Sequence, residues 1–338
     1  MKASILLVLV CLAAISELVL ARRSSLHEWR QYKRQHGKIY ETPEEEGHRF
    51  SLFLATKEYI RQHNTNDQVS YKLGLNHMAD WTQEERASLK GLRYDPIEHE
   101  RRLEASRNDP FLQAILDDPA PVPAEVDWRK VPNRVTEVKD QGQCGGCWAF
   151  ASTGVLEGQQ VVRNFTKTLV PLSEQDLIDC SQQNMGCDGG LMSLAFSDVE
   201  STGGIENEID YPFKGDDGVN CSLKKDKIVM TDSGSVDLPQ HNEQIIKATV
   251  SKYGPVSTGI FASPKFQYYT SGVFNDPDCN DKLDHAVLIV GYGKDPKEGD
   301  FWIVKNSWSD AWGDKGYIKM KFGICGIGKM STIAKFDK

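Results

Sequence analysis

The sequence predicts an α+β protein, helices first and strands later, with two subdomains and a cleft between them as the arrangement that follows. Three observations predict it. The chain has 338 residues, of which 39% are apolar, 26% charged and 9% aromatic, a composition that supports a substantial core or two. Helical patterns dominate up to Cys180: Trp148 to Val162 can form one helix, and Ser173-Glu-Gln-Asp176 caps another that runs into Cys180. Later runs such as Val287-Leu-Ile-Val290, Trp302-Ile-Val304 and Tyr317-Ile-Lys-Met320 are β-rich and punctuated by glycine. No internal repeat or low-complexity tract interrupts this order. The formal charge of −8, with no basic block to offset it, argues against a nucleic-acid partner, which needs a cationic surface to displace phosphate counterions.

In chain order, the first element is a leader. Lys2 precedes an unbroken apolar run from Ile5 to Ile15, too short to cross a bilayer as a helix, and Val19-Leu20-Ala21 offers a small-residue cleavage site, with Ser16 as a second candidate. Residues 1–21 therefore read as a secretory signal peptide, and no later stretch has the length and apolarity of a membrane span. Of the eight cysteines, Cys11 leaves with the leader, and the seven that remain cannot all pair. In a secreted chain the odd one is an intermolecular link or a reactive thiol.

Residues 22–121 contain no cysteine and read as a helical module. Ser25-Leu-His-Glu28 has the form of a capping box, with Leu26, Trp29 and Tyr32 following on one face. Thr42-Pro43-Glu44-Glu45 is a stronger helix start, and Glu45, Arg49, Phe53, Thr56, Ile60 and Asn64 recur along one side of the helix it opens. Polar residues on that side predict an internal polar network. Four prolines (110, 119, 121, 123) and Asp117-Asp118 then make a seam that resists regular structure and invites proteolysis. The module before the seam holds 16 basic and 17 acidic residues, net −1, whereas 122–338 holds 23 and 30, net −7. Six histidines (27, 36, 48, 63, 77, 99) precede the seam, and only His241 and His285 follow it.

The densest motif is Gln141-Gly-Gln-Cys144-Gly-Gly-Cys147-Trp148. A zinc half-site needs a second clustered ligand pair, and a redox dithiol needs a thioredoxin-like context; neither is present, so no metal or cofactor is expected. The third reading ties Cys144 into a disulfide and leaves Cys147 as the odd thiol at the mouth of a helix, where the dipole favours thiolate. Its base is His241 or His285. His241 lies in a polar turn-like context, whereas His285 sits at the edge of a buried strand pattern, where its surroundings tune its ionisation. Asn306, shielded by Trp308, is the candidate amide that fixes the ring.

On these residues the sequence resembles the papain-like cysteine peptidases, in particular the cathepsin L-like branch with its inhibitory prodomain. Cys144-Gly-Gly-Cys147-Trp matches the nucleophile signature, with His285 138 and Asn306 159 residues downstream. Gly146 replaces the usual Ser or Ala, and Ser309 replaces the Gly that usually follows Asn-Ser-Trp. Glu45, Arg49, Phe53, Ile60 and Asn64 match the prodomain's helical signature, with Thr56 in place of an Asn. Gly74-Leu-Asn76-His-Met78-Ala-Asp80 matches its second signature, with Met78 in a Phe position.

The resemblance implies a fold of two subdomains, one helical and one β-barrel-like, with the catalytic cleft between them and an α-helical inhibitory prodomain before them. It implies a signal peptide over 1–21, a prodomain over 22–121 and a peptidase domain over 122–338. Its implied chemistry is endopeptidase cleavage through an acyl-enzyme, with Cys147 as nucleophile, His285 as acid and base, Asn306 orienting the ring, and Gln141 with the Cys147 N–H forming the oxyanion hole. The implied disulfides are Cys144–Cys187, Cys180–Cys221 and Cys279–Cys325. The implied S2 pocket is Leu191, Met192, Gly259, Leu283, Ala286 and Met330, an apolar lining in which Met330 predicts a shallow pocket favouring Leu or Val over Phe. The expected partners are protein and peptide substrates, the chain's own prodomain and cystatin-like inhibitors, acting on a monomer in the lysosome or outside the cell. Asn164-Phe-Thr166 and Asn220-Cys-Ser222 are glycosylation sequons, Asn164 the better placed. The alternative is a catalytically weak or inactive binding protein on the same fold. Charging the prodomain histidines against an acidic partner strengthens attraction, so acid release must come from destabilising the prodomain itself or from neutralising carboxylates at the contact.

Overall fold

The computed structural model describes residues 24–217 and 220–336, and the expected signal peptide lies outside them. The chain forms two compact units, one reaching Thr65 and including Leu75–Thr82, the other made of Asn66–Gly74 and everything from Gln83.

The first unit is built on helices α1 (24–35) and α2 (Pro43–Asn64). Thr42 caps α2 by accepting the Glu45 N–H at 3.1 Å, as its sequence demands. Ser25 does not cap α1: the helix is already formed at Ser24, whose hydroxyl donates to Glu28 at 3.4 Å. Trp29, Tyr32, Phe53 and Ala79 are the buried core, with Tyr40, Phe50 and Leu54 against it. Trp29 stacks on Tyr32 with ring centroids 5.6 Å apart, and Phe53 closes on both. The polar network expected on the α2 face runs through Arg49, 3.6 Å from Glu45 and donating to the Asp80 carbonyl at 3.3 Å. The buried Asp80 carboxylate accepts from Tyr32 Oη at 2.6 Å and from Tyr40, and Lys38 lies 3.1 Å away. Burial beside Asp80 pushes both tyrosine hydroxyls far up, so they remain donors.

The second unit starts with strand β1 (Tyr71–Leu73) and helices α3 (Gln83–Ala87), α4 (Pro96–Ser106) and α5 (Pro110–Leu116). The seam is therefore more ordered than its prolines suggest. Pro110 opens α5, where a missing N–H costs no helical bond, and Asp109 caps it by accepting the Phe111 N–H at 2.9 Å. Only 117–125 is exposed and free of helix and strand.

Three helices follow, α6 (Cys147–Glu157), α7 (Glu174–Cys180) and α8 (Met192–Thr202). Ser173 caps α7 as the sequence predicts, accepting the Asp176 N–H at 2.9 Å. Helix α6 stops five residues short of Val162, at Gly158, where a Cβ would meet Pro255 Cδ at 2.8 Å. Of the strands, β3 (Ile205–Glu206) pairs with β4 (Ile228–Met230), whereas β5 (Ser235–Asp237), β6 (Val256–Ile260), β7 (Tyr269–Phe274), β8 (His285–Asp295), β9 (Gly299–Lys305), β10 (Tyr317–Lys321) and β11 (Ser331–Ala334) join β1 in one sheet, with β2 (Val126–Asp127) paired to β8. Its order is β1-β7-β10-β9-β8-β6-β11-β5, antiparallel except for β10 with β7. Every residue of α6 is buried, and Gly154 lets the helix lie on the sheet, since a Cβ there would be 2.6 Å from Leu288 Cδ2 of β8. That close approach sets the start of α6 beside the start of β8. Bridges Cys144–Cys187, Cys180–Cys221 and Cys279–Cys325 staple the unit, and Cys147 is the cysteine left unbridged among the described residues.

Candidate active site

Cys147 is the first residue of α6, and His285 is the first of β8. The Ala286 N–H donates to Cys147 Sγ at 3.4 Å, so the sulfur lies against the backbone immediately after His285. His285 Nε2 is 2.8 Å from Asn306 Oδ1, which leaves Nδ1 as the ring nitrogen with no hydrogen-bond partner among the described residues. Trp308 covers the pair, its ring centroid 4.6 Å from that of His285. Asn306 directly follows β9, whose pairing with β8 brings Lys305 opposite Leu288 and carries the amide to the histidine. His241, the other histidine after the seam, lies in a turn at φ 54°.

Gln141 is fully buried. Its amide Nε2 donates to the Cys144 carbonyl at 2.8 Å and to the Leu89 carbonyl at 3.0 Å, while Ser307 Oγ donates to its Oε1 at 2.7 Å. Leu89 belongs to the chain between α3 and α4. That segment, 88–93, runs along a floor of glycines: Gly190 N donates to the Gly91 carbonyl at 2.8 Å, Arg93 N to the Gly190 carbonyl at 3.1 Å, and Leu92 N to the Asp284 carbonyl at 3.2 Å. The floor admits only glycine opposite it, because a Cβ on Gly91 would be 1.7 Å from the Gly145 carbonyl oxygen. Nothing in the periodicity of Ser88-Leu-Lys-Gly-Leu-Arg93 marks it as a cleft-filling strand, so Leu89, Gly91 and Leu92 are the site residues that sequence reasoning missed.

Of the expected S2 residues, Gly259 lies against the segment: a Cβ on it would meet Leu92 Cδ2 at 2.7 Å and Leu283 Cδ1 at 3.0 Å, so both leucines pack against Gly259. Gly259 pairs with Ala286 across β6 and β8, and its N–H donates to the Met330 carbonyl at 2.8 Å. Leu191 and Met192 follow Gly190 and are buried. The segment also brings Lys90, whose Nζ lies 2.9 Å from Asp284.

Burial sets the electrostatics of the pair. Burial pushes the Cys147 thiol up to about 11, although the backbone N–H groups of Ala286, Gly91 and Trp148 pull the other way. Burial drives His285 down to about 4, with Lys90 adding to the effect and the Asn306 bond opposing it. Thiol and imidazole are thus both neutral while the segment is in place. At Gly146 a Cβ would meet Ile178 Cδ1 at 3.2 Å and Cys144 Sγ at 3.3 Å, so the usual Ser or Ala fits after a shift of a few tenths of an ångström. Ser309 adopts φ 66°, the left-handed conformation that glycine accepts most easily.

A buried thiol at a helix mouth, a histidine held by an amide and a glutamine gripping a carbonyl define a cysteine hydrolase, and residues 122–335 match the papain family of cysteine proteases, to which the chain belongs. Residues 29–85 match the cathepsin propeptide inhibitor domain, so the chain is a cathepsin L-like cysteine protease made as a zymogen. It is 42% identical to cathepsin L of Sarcophaga peregrina, covering 97% of this chain and 98% of that one, and 39% identical to mouse procathepsin L, covering 95% and 94%. The digestive procathepsin L2 proteinase of Tenebrio molitor larval midgut superposes with a TM-score of 0.84 at 35% identity, over 92% of this chain and all of that one.

Proposed function

We propose that Cys147, His285, Asn306 and Gln141 carry out peptide hydrolysis by the chain 122–338, and that 22–121 holds it inactive until cleavage near Val122. The observation that carries this reading is the Leu89 carbonyl, held by Gln141 Nε2 at 3.0 Å. Gln141 is thereby already acting as a donor to a peptide oxygen beside the thiol. In the zymogen the backbone N–H of Gly91 faces the sulfur. The segment thus fills the cleft beside the thiol, with the Leu89 carbonyl on Gln141 and the Gly91 N–H toward the sulfur.

With the segment gone, the Cys147 thiolate attacks a peptide carbonyl, and protonated His285 gives its proton to the departing amine, leaving a thioester. Water, deprotonated by His285, then attacks the thioester, releasing the acid and restoring the thiolate. The tetrahedral oxyanion lies between the Gln141 amide and the Cys147 N–H; losing one such donor costs roughly 100–1000-fold in rate. Leu92 and Leu283, both packed against Gly259, support an apolar P2 pocket, with Leu or Val preferred to Phe. Endopeptidase action is favoured because 122–338 holds no spare histidine besides His241 with which to build a carboxyl-binding obstruction. The chain enters the secretory pathway, acts as a monomer in the lysosome or outside the cell, meets cystatin-like inhibitors, and carries a glycan at Asn164, which is exposed, in preference to Asn220 beside the Cys221 bridge.

Acidified zymogen, assayed with a Leu-P2 fluorogenic peptide with and without an epoxide thiol inhibitor, tests this directly. Inhibitor-sensitive hydrolysis that vanishes in Cys147→Ala is expected, and activity surviving in that variant overturns the assignment. Equal turnover of a Phe-P2 peptide overturns the pocket assignment alone.

A further inference from the structure

A second cavity, of about 620 Å³, opens behind the segment that leads into Gln141. Its walls are apolar: Phe150, Phe213, Leu169 and Pro171, with the two phenylalanine rings in a T-shaped contact at 5.1 Å. Lys139, Glu174 and Glu208 also line it, and Glu157 and Lys305 lie directly behind Lys139. These five groups do not balance, since two lysines face three glutamates. Lys139 has spent its three donors on Glu157 Oε1 at 2.8 Å, the Leu172 carbonyl at 3.0 Å and Glu174 Oε1 at 2.5 Å. Lys305 donates to the Thr136 carbonyl at 2.8 Å and to its hydroxyl at 2.9 Å.

One buried carboxylate oxygen is left over, on Glu208. Glu174 is 1% exposed, and both of its hydrogen bonds, from Lys139 and Thr153, go to Oε1. Glu208 uses Oε1 to accept the Phe213 N–H at 2.9 Å, while its Oε2 is shielded from solvent with no partner among the described residues. A buried carboxylate oxygen without a donor is costly. The remaining charged groups that face the cavity, Glu137 and Asp140 at its exposed rim, are also acidic.

We propose that this cavity binds an organic cation, a primary ammonium or amidinium on an aromatic or aliphatic body, with the charge on Glu174 and Glu208 and the body between Phe150 and Phe213. The cation supplies the missing positive charge, and the phenylalanine faces take its apolar part. A bare metal ion does not fit, because no group of three acidic, histidine or cysteine side chains able to hold one is present among the described residues.

The cavity also has a route to the chemistry. Lys139 and Asp140 immediately precede Gln141, and this segment bridges to the one that follows Asn306: Ser309 N donates to the Lys139 carbonyl at 3.1 Å and Gln141 N to the Ser307 carbonyl at 2.9 Å. If Gln141 and Asn306 act as proposed above, an occupant changes kcat and leaves KM alone. Burial pushes Glu174 up to about 7, opposed by Lys139, and raises Glu208 as well. A cation binds the ionised carboxylates, so affinity rises from pH 6 to pH 8.

The test is calorimetric titration of the full-length Cys147→Ala chain with benzamidine, and with neutral benzamide as its isostere. Saturable one-to-one binding of benzamidine alone, tighter at pH 8 than at pH 6 and weakened roughly tenfold by Glu208→Gln, is expected. Absence of saturable binding at pH 8, equal binding of benzamide, or affinity unmoved by Glu208→Gln overturns the proposal. Should Glu208→Gln not fold, Phe213→Ala gives the same reading through the wall. Binding is scored without catalysis, so it stands or falls separately from the assignment of Gln141 and Asn306. In the matured wild-type enzyme benzamidine lowers kcat, and a rise in KM alone places the cation in the cleft and overturns the proposal.

Discussion

Ser309 is the residue whose conformation and identity disagree. At φ 66° its Cβ is strained, and the compensation is two exposed hydroxyl bonds, accepted from the Ala311 N–H at 3.1 Å and donated to Asp310 Oδ1 at 3.3 Å. Ser309→Gly relieves the strain and loses both bonds, so unfolding in urea should show a stabilisation of up to ~1 kcal/mol; a clear destabilisation means the hydroxyl matters more than the backbone. Cys147 makes a second prediction at this scale. With the thiol pushed up to about 11 in the covered state, roughly one molecule in ten thousand holds a thiolate at pH 7. Iodoacetamide should therefore alkylate the intact zymogen orders of magnitude more slowly than the matured enzyme, and equal rates at pH 7 would show that covering does not control the thiol.

Among the elements, the cleft segment depends on one glycine. Gly91→Ala drives a Cβ into the Gly145 carbonyl and must lift 88–93 off its floor, at a cost of about 1–3 kcal/mol. The uncut variant should hydrolyse a Leu-P2 peptide ~5–100-fold faster than uncut wild type; unchanged latency would place the grip elsewhere. Helix α4 is one other such grip. Its buried His99 sets Nε2 3.0 Å from the Lys329 carbonyl and Nδ1 3.6 Å from Asp237, and Arg102 Nε reaches the same carboxylate at 3.1 Å. In the first unit, burial and Lys38 hold His36 below its ordinary value, so charging it there works against that unit. Thermal unfolding of the full chain followed by Trp29 fluorescence should show this unit weakening from pH 7 to pH 5, and less so in His36→Gln. These elements divide cleanly by legibility. Thr42, Ser173 and the catalytic-type motif announce themselves because caps and reactive groups are local chemistry. Helix α5 was hidden by a proline that starts a helix as readily as it breaks one, the end of α6 by the approach of Pro255, and the cleft segment by having no period at all.

For the molecule as a whole, acid acts through His285. Burial holds it at about 4 in the folded chain against 6.5 ordinarily, so protons bind preferentially to the unfolded chain. Its contribution to stability is complete above pH 6.5 and is lost as pH falls toward 4, by ~1.4 kcal/mol per pH unit. Asp284, raised by burial, works in the opposite sense over part of that range. The full-length Cys147→Ala chain should melt lower at pH 4.5 than at pH 7, with a smaller difference in His285→Gln; an identical difference would remove His285 as the source. The helix α5, finally, bears on what a single cut achieves. Lys252 holds the Leu116 and Asp118 carbonyls at 3.2 and 2.6 Å, Lys335 reaches Asp109 at 3.2 Å, and Phe111 lies against Tyr253 and Arg163. A cut near Val122 leaves all of these anchors in place, so the scissile event and the appearance of activity are separate in time. Activation then has a lag whose length depends on dilution and on destruction of the severed fragment, and a concentrated sample remains silent long after every chain has been cut.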